Sequence, residues 1–193
     1  MGAIGGCLMF LVVVAVVAAI WAIWRYNNLV TLKNQVANGW KQIDVQLKRR
    51  HDLIPNLVSA VKGEMQFEQD TLEKVIAARA SAVSARGVAD SAEKENALSQ
   101  TLGRLFALAE NYPNLKSNEA VKSLMEELSS TENKIGFARQ FYNDIATRFN
   151  IAQEVFPDSF IAKTFNFQPV ELFEIKDAAE REVPKVDLNL KSQ

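Results

Sequence analysis

The sequence predicts an all-α protein: one N-terminal transmembrane helix, then an antiparallel bundle of long helices, the first kinked near Pro55. Three observations carry this. Residues 1–24 hold no charge, and all 22 basic and 23 acidic residues fall after them. Beyond the apolar run, hydrophobic residues recur at helical spacing for more than a hundred positions. No stretch from Arg25 to Arg86 alternates cleanly enough to be a strand. The organisation expected is an anchor at 1–25, a helical domain at 26–181 and a C-terminal tail at 182–193.

The anchor comes first. From Ile4 to Trp24 about 21 uncharged residues match the length that spans a hydrocarbon core as helix. Trp21, Trp24 and Tyr26 gather at its end, where amphipathic rings favour the headgroup layer, and Arg25 is the first charge. A cleaved signal peptide fits less well, because no Lys or Arg precedes the run and it contains no Ala-x-Ala pattern. Cys7 lies inside the run as a small apolar residue, so neither a disulfide framework nor a lipidation site is indicated. Arg25, Lys33 and Lys41 follow the span, and the positive-inside rule then puts the domain in the cytoplasm and the N-terminus outside. Gly2/Gly6, Ala15/Ala19 and Ala18/Ala22 have the small-xxx-small spacing that permits close helix packing.

The first helix of the domain carries Leu29, Val36, Trp40, Ile43, Leu47 and Ile54 on one stripe, continued after one interruption by Leu57 through Val83. Pro55 lies inside this pattern and predicts the kink. Arg86-Gly87 reads as a helix stop. A second helix is expected from about Ser91 to Glu110, ending before Pro113, with Ser117 as the next N-cap. The third runs from Val121 to Phe156, and its ladder of Phe137, Phe141, Ile145 and Phe149 is expected in the bundle core. Pro157 ends it. An aromatic stretch with Phe160, Phe165, Phe167, Leu172 and Phe173 follows, then a short helix to about Arg181. In the tail Val186, Leu188 and Leu190 alternate with polar residues, either as a frayed end or as a strand-like arm docking on a neighbour.

Chemistry is sparse. One histidine and one cysteine inside the span exclude a His/Cys zinc site and a Cys–His dyad. The eight glycines form neither a dinucleotide fingerprint nor a phosphate loop. Glu126, Glu127, Glu171 and Glu174 read as solvated helix surface. No catalytic, cofactor-binding or metal-ligating residue is therefore nominated, and a net charge of −1 disfavours nucleic acid. The densest polar run is Lys48-Arg49-Arg50-His51-Asp52. Arg49 stands about 25 residues past Trp24, so a continuous helix carries it roughly 35 Å from the membrane edge, too far for lipid contact. Lys48, Arg49, Arg50 and Asp52 are candidate interface residues, with pairing to Glu126, Glu127 or Glu132 as one alternative and a solvated face as another. Phe165, Phe167 and Phe173 form a second candidate interface.

Tyr26-Asn27-Asn28-Leu29-Val30 resembles the opening of the LemA family domain, as does the stretch from Trp40 to Val58. Val61-Lys62-Gly63, Ala78-Arg79-Ala80, Glu110 to Lys116, Glu132-Asn133-Lys134-Ile135, Ala138-Arg139 and Tyr142-Asn143 extend the resemblance over roughly residues 26–175. It implies a bacterial, membrane-anchored helical bundle without established enzymatic activity, with a magnetosome-formation protein among its relatives. It also implies a partnership with an HtpX-type membrane metalloprotease or a TPM-domain protein. Some family members resemble lipoproteins with the domain outside the cytoplasm, which opposes the sidedness read from the charges. Two functions follow as expectations: a self-associating scaffold of the bacterial inner membrane, or an adaptor for a membrane protease or envelope-stress complex.

Overall fold

A computed structural model describes residues 2–63, 65 and 68–174, with side chains in the first helix from Leu8 onward. Six helices follow in order: α1 (Gly2–Val61), α2 (Gln69–Val83), α3 (Gly87–Ala109), α4 (Pro113–Ser117), α5 (Glu119–Glu154) and α6 (Asp158–Thr164). Among the described residues there is no strand, and the all-α expectation holds.

The apolar run and the first domain helix are one element. α1 has 60 residues, about 90 Å of continuous helix, and passes through Pro55. Proline inside a helix costs about 3 kcal/mol. Its neighbours Ile54, Leu57, Val58 and Val61 are all buried, at about 1.5–3 kcal/mol each. Packing therefore outweighs the missing donor, while the proline itself is solvent-exposed. The chain leaves the helix at Lys62-Gly63, where Met65 N–H donates to Val61 O (3.0 Å) and its side chain is fully buried.

α5 returns alongside the part of α1 beyond the apolar run. Its 36 residues, about 54 Å, match the length of Arg25–Val61. The two run antiparallel: Gly39 faces Tyr142, and Leu29 shares a cluster with Ala152. A Cβ on Gly39 would sit 3.5 Å from the Tyr142 Cα, so a small residue lets the two backbones approach there. In the half distal to the apolar run, the α2–α3 hairpin completes a four-helix core of Ile54, Leu57, Leu72, Val75, Leu98, Leu102, Leu105 and Leu128. In the proximal half the third layer is a strap, residues 165–174, which turns at Phe165-Asn166 and then runs without regular secondary structure. It packs on Trp40, Tyr142 and Phe149 through Phe167 and Phe173.

Several boundaries differ from the expected ones. α3 starts at Gly87 (φ +80°), four residues early, because the Asp90 carboxylate accepts from the Arg86 N–H (2.7 Å) and closes the first turn. Asn118, not Ser117, caps α5, accepting from Ala120 N–H (3.0 Å) and Val121 N–H (3.3 Å). Ser117 closes the short α4 instead, donating to Asn114 O (3.0 Å). The aromatic ladder is only half internal: Phe149 and Ile145 are buried, but Phe137 is 74% exposed and Phe141 is also exposed. Four-residue steps precess by about 40° on a 3.6-residue helix, so three steps carry a stripe off the core face. A helix that was not expected, α6, lies at Asp158–Thr164 within the aromatic stretch, and Leu172–Glu174 have no regular secondary structure. The end of the helix expected near Arg181, and the alternation of Val186, Leu188 and Leu190, lie outside the described residues.

Candidate functional site

The basic run on α1 divides between surface and core. Lys48 and Asp52 are exposed, and Arg49 reaches α5, where its Nε donates to Glu127 Oε1 (3.1 Å). Arg50 is 0% exposed, which removes it from any candidate interface. Helical spacing explains this: Ile43, Leu47, Arg50 and Ile54 share one stripe, so the arginine occupies a core position.

Two other helices bring carboxylates to it from equivalent stripes. Glu95 of α3 lies between Ala92 and Leu98, and Glu132 of α5 between Leu128 and Ile135. Arg50 Nη2 donates to Glu95 Oε2, and Nη1 to Glu132 Oε2 and to Ser99 Oγ (2.8 Å). Ser99 Oγ donates in turn to Glu132 Oε1 (2.9 Å). His51 is internal too, its Nε2 2.8 Å from Glu95 Oε1, while its backbone carbonyl accepts from Arg79 Nε (2.6 Å). The pairing alternative thus holds for Arg49 with Glu127 and Arg50 with Glu132. Glu95 was missed, although a lone acid in an apolar stripe is the signal that finds it.

Burial alone would raise the Glu95 carboxyl; the hydrogen bond from His51 and the Arg50 charge outweigh it and hold the group below its ordinary value of 4.5. Burial lowers the Arg139 guanidinium, against the pull of Glu132. Arg139 lies over the Phe173 ring at 4.6 Å, linking the charge cluster to the strap. Both Nη groups of Arg50 are bound within the cluster, while Arg50 Nε and Arg139 Nε and Nη2 are buried without a hydrogen-bond partner; among the described residues no group of His, Cys, Asp and Glu converges to hold a metal ion. Its physical effect is to fix which faces of α1, α3 and α5 meet.

A carboxyl whose folded value is depressed stabilises the fold above its ordinary value, and that stability is lost as pH falls through the folded value. The melting temperature should therefore fall as pH drops below 4.5, with a shallower acid limb in Glu95→Gln. Circular dichroism melts across that range provide the check, and parallel acid limbs would remove Glu95 as the responsible group.

The second candidate interface is mostly internal as well. Phe173 is buried against Trp40 (6.0 Å between centroids), and Phe167 packs on Phe149 and Tyr26. Only Phe165 remains largely exposed, its ring tilted against Tyr26 with centroids 4.6 Å apart. Of the anchor residues, Ile4, Trp21, Trp24, Arg25 and Tyr26 all lie on α1, with the Arg25 guanidinium over Trp24 (5.1 Å) and Trp21 (5.8 Å).

The sequence model of the LemA family matches residues 39–188. The chain belongs to the LemA family. Magnetosome protein MamQ 1 of Paramagnetospirillum magneticum is 26% identical to it, the match covering 81% of this chain and 67% of the relative. Magnetosome protein MamQ of Magnetospirillum gryphiswaldense is 25% identical over the same shares. Protein LemA of Metamycoplasma hominis is 26% identical, covering 94% of this chain and 81% of that protein. All three relatives are bacterial. The LemA-like motifs converge in space: Arg50, Glu132 and Arg139 build the charge cluster, while Tyr142 and Asn143 hold the strap.

Proposed function

We propose that this LemA-family chain is a non-enzymatic, membrane-anchored scaffold that self-associates and organises a patch of bacterial inner membrane. The observation that carries the reading is the continuity of α1. Its apolar part is long enough to cross a bilayer, and from Leu8 to Trp21 every residue of it is exposed. The same helix is then the backbone of the bundle, so anchor and domain move as one stiff rod projecting about 55 Å from the membrane. The basic residues that follow the span favour a cytoplasmic domain. The rod carries an exposed apolar line, Val45, Phe137 and Phe141, in a shallow groove flanked by Lys41 and Gln42. A second copy fits that line, and the magnetosome names of two relatives agree with work on membranes.

Light scattering of the full-length chain in lipid discs should give a discrete multimer. The double variant Val45→Glu, Phe137→Glu should run at monomer mass with an unchanged melt. A strictly monomeric native chain, in mild detergent and in discs alike, would sink the proposal.

An adaptor for a membrane metalloprotease or a TPM-domain protein is the second reading, favoured by the exposed Lys48 and Asp52 beside Arg49. Its residues are those three, without Arg50.

A further inference from the structure

The membrane-proximal end of the bundle has a feature that the anchor does not account for. α6 packs through Ile161 and Ala162 onto Leu29, Tyr26 and Ala22 of α1. Ala22 lies inside the uncharged run, which ends at Trp24. Asp158, at the start of α6, is ion-paired with Arg25 (Nε–Oδ1, 3.2 Å), the first charge after the run. Phe165, just past the end of α6, packs its ring in tilted contact with Tyr26. Three independent contacts therefore set α6 at the level of residues 22–29, where the span passes from hydrocarbon into headgroups.

At that level the α5–α6 corner exposes large rings. Phe156 is 83% exposed, Phe160 70% and Phe165 56%. In water three such rings together are a costly apolar patch. At a bilayer interface they join Trp21 and Trp24 as aromatic residues at headgroup depth. The charges fit as well: the acid of α6 is ion-paired with Arg25, and its last turn carries the exposed Lys163, a cation suited to lipid phosphate.

We propose that the α5–α6 corner is a second, interfacial membrane contact, in which Phe156, Phe160 and Phe165 lie among the lipid headgroups beside the base of the span. The bundle is then seated on the bilayer by α5 and α6 as well as by α1, which fixes its tilt and rotation instead of leaving it on a free stalk. This rests on the reading of α1 as a membrane span.

The test uses full-length protein with Cys7→Ala, carrying a single Phe160→Cys or Phe156→Cys labelled with an environment-sensitive fluorophore. The protein is reconstituted in phosphatidylethanolamine/phosphatidylglycerol discs. Val14→Cys reports on the span, and Lys74→Cys, on the exposed face of α2, on water-exposed bundle. Labels at 160 and 156 should lose most of their emission to lipids brominated high on the acyl chain and resist aqueous iodide, with position 74 showing the reverse. Iodide quenching at 160 and 156 together with lipid quenching at 14 would overturn the interfacial contact and leave the anchor standing. Shielding of 160 and 156 from both quenchers would mean that protein covers the corner, and would also overturn it. Failure of lipid to quench position 14 would remove the anchor and this contact together. Both labelled phenylalanines are exposed, and matching helicity of the variants confirms an intact fold.

Discussion

Arg50→Met is expected to destabilise the bundle by about 3–5 kcal/mol, whereas Arg49→Met, one residue away, should cost no more than about 1 kcal/mol. The contrast follows from where each partner sits. Arg49 and Glu127 are both substantially solvated, and their pair is screened by water and salt. Arg50 is fully buried, and removing it strands Glu95, whose side chain is 1% exposed. Glu132, 42% exposed, can turn to solvent, so most of the penalty is expected through Glu95. His51 remains hydrogen-bonded to that carboxylate and offsets part of the loss. Chemical denaturation followed by circular dichroism measures both variants, and equal losses at 49 and 50 would refute the assignment. Replacing the two buried ions together, with Arg50→Met and Glu95→Leu, should recover most of the stability, since Glu132 reaches solvent. The cluster specifies a pairing of faces, and apolar residues of similar volume supply comparable burial energy.

That buried cluster marks the border of what the sequence discloses. Charge density drew attention to Lys48–Asp52, but density alone does not tell a surface run from one whose third member points inward. Phase does. Arg50, Glu95 and Glu132 each stand three or four residues from buried apolar neighbours on both sides, and their signs are complementary. The long helices were legible because α1, α3 and α5 each repeat their core stripe over many turns. Their ends were less so, since Asn118 and Asp90 act through side-chain geometry that neighbouring Ser117 and Ser91 equally suggest. The proximal third layer was not legible at all. Residues 165–174 have no period, and from Val170 to Phe173 their backbone is held by side chains of another element.

Those side chains make the strap the second large test. Asn143 and Asn150 stand two turns apart on one face of α5. Asn143 donates Nδ2–H to Phe173 O (3.1 Å) and accepts the Phe173 N–H (2.8 Å). Asn150 does the same with Val170, at 2.9 Å in both directions. Each amide thus replaces one rung of a strand pairing, and Tyr142 Oη adds a bond to Glu171 O (2.7 Å). The double variant Asn143→Leu, Asn150→Leu leaves four strap groups without partners and should cost about 2–4 kcal/mol. The loss should be local, because the distal core of α1, α2, α3 and α5 shares none of these bonds. Hydrogen exchange at Val170 and Phe173 should accelerate strongly while amides around Leu57 and Leu102 stay protected. Release of Phe173 would also uncover Trp40 and the Arg139 guanidinium, loosening the charge cluster from its proximal side. Single Asn→Asp changes keep the acceptor and lose the donor, so they should fall between native and double variant. Unchanged strap exchange in the double variant would show that Phe167 and Phe173 hold the segment by burial alone, and that the asparagines only complete its hydrogen bonding.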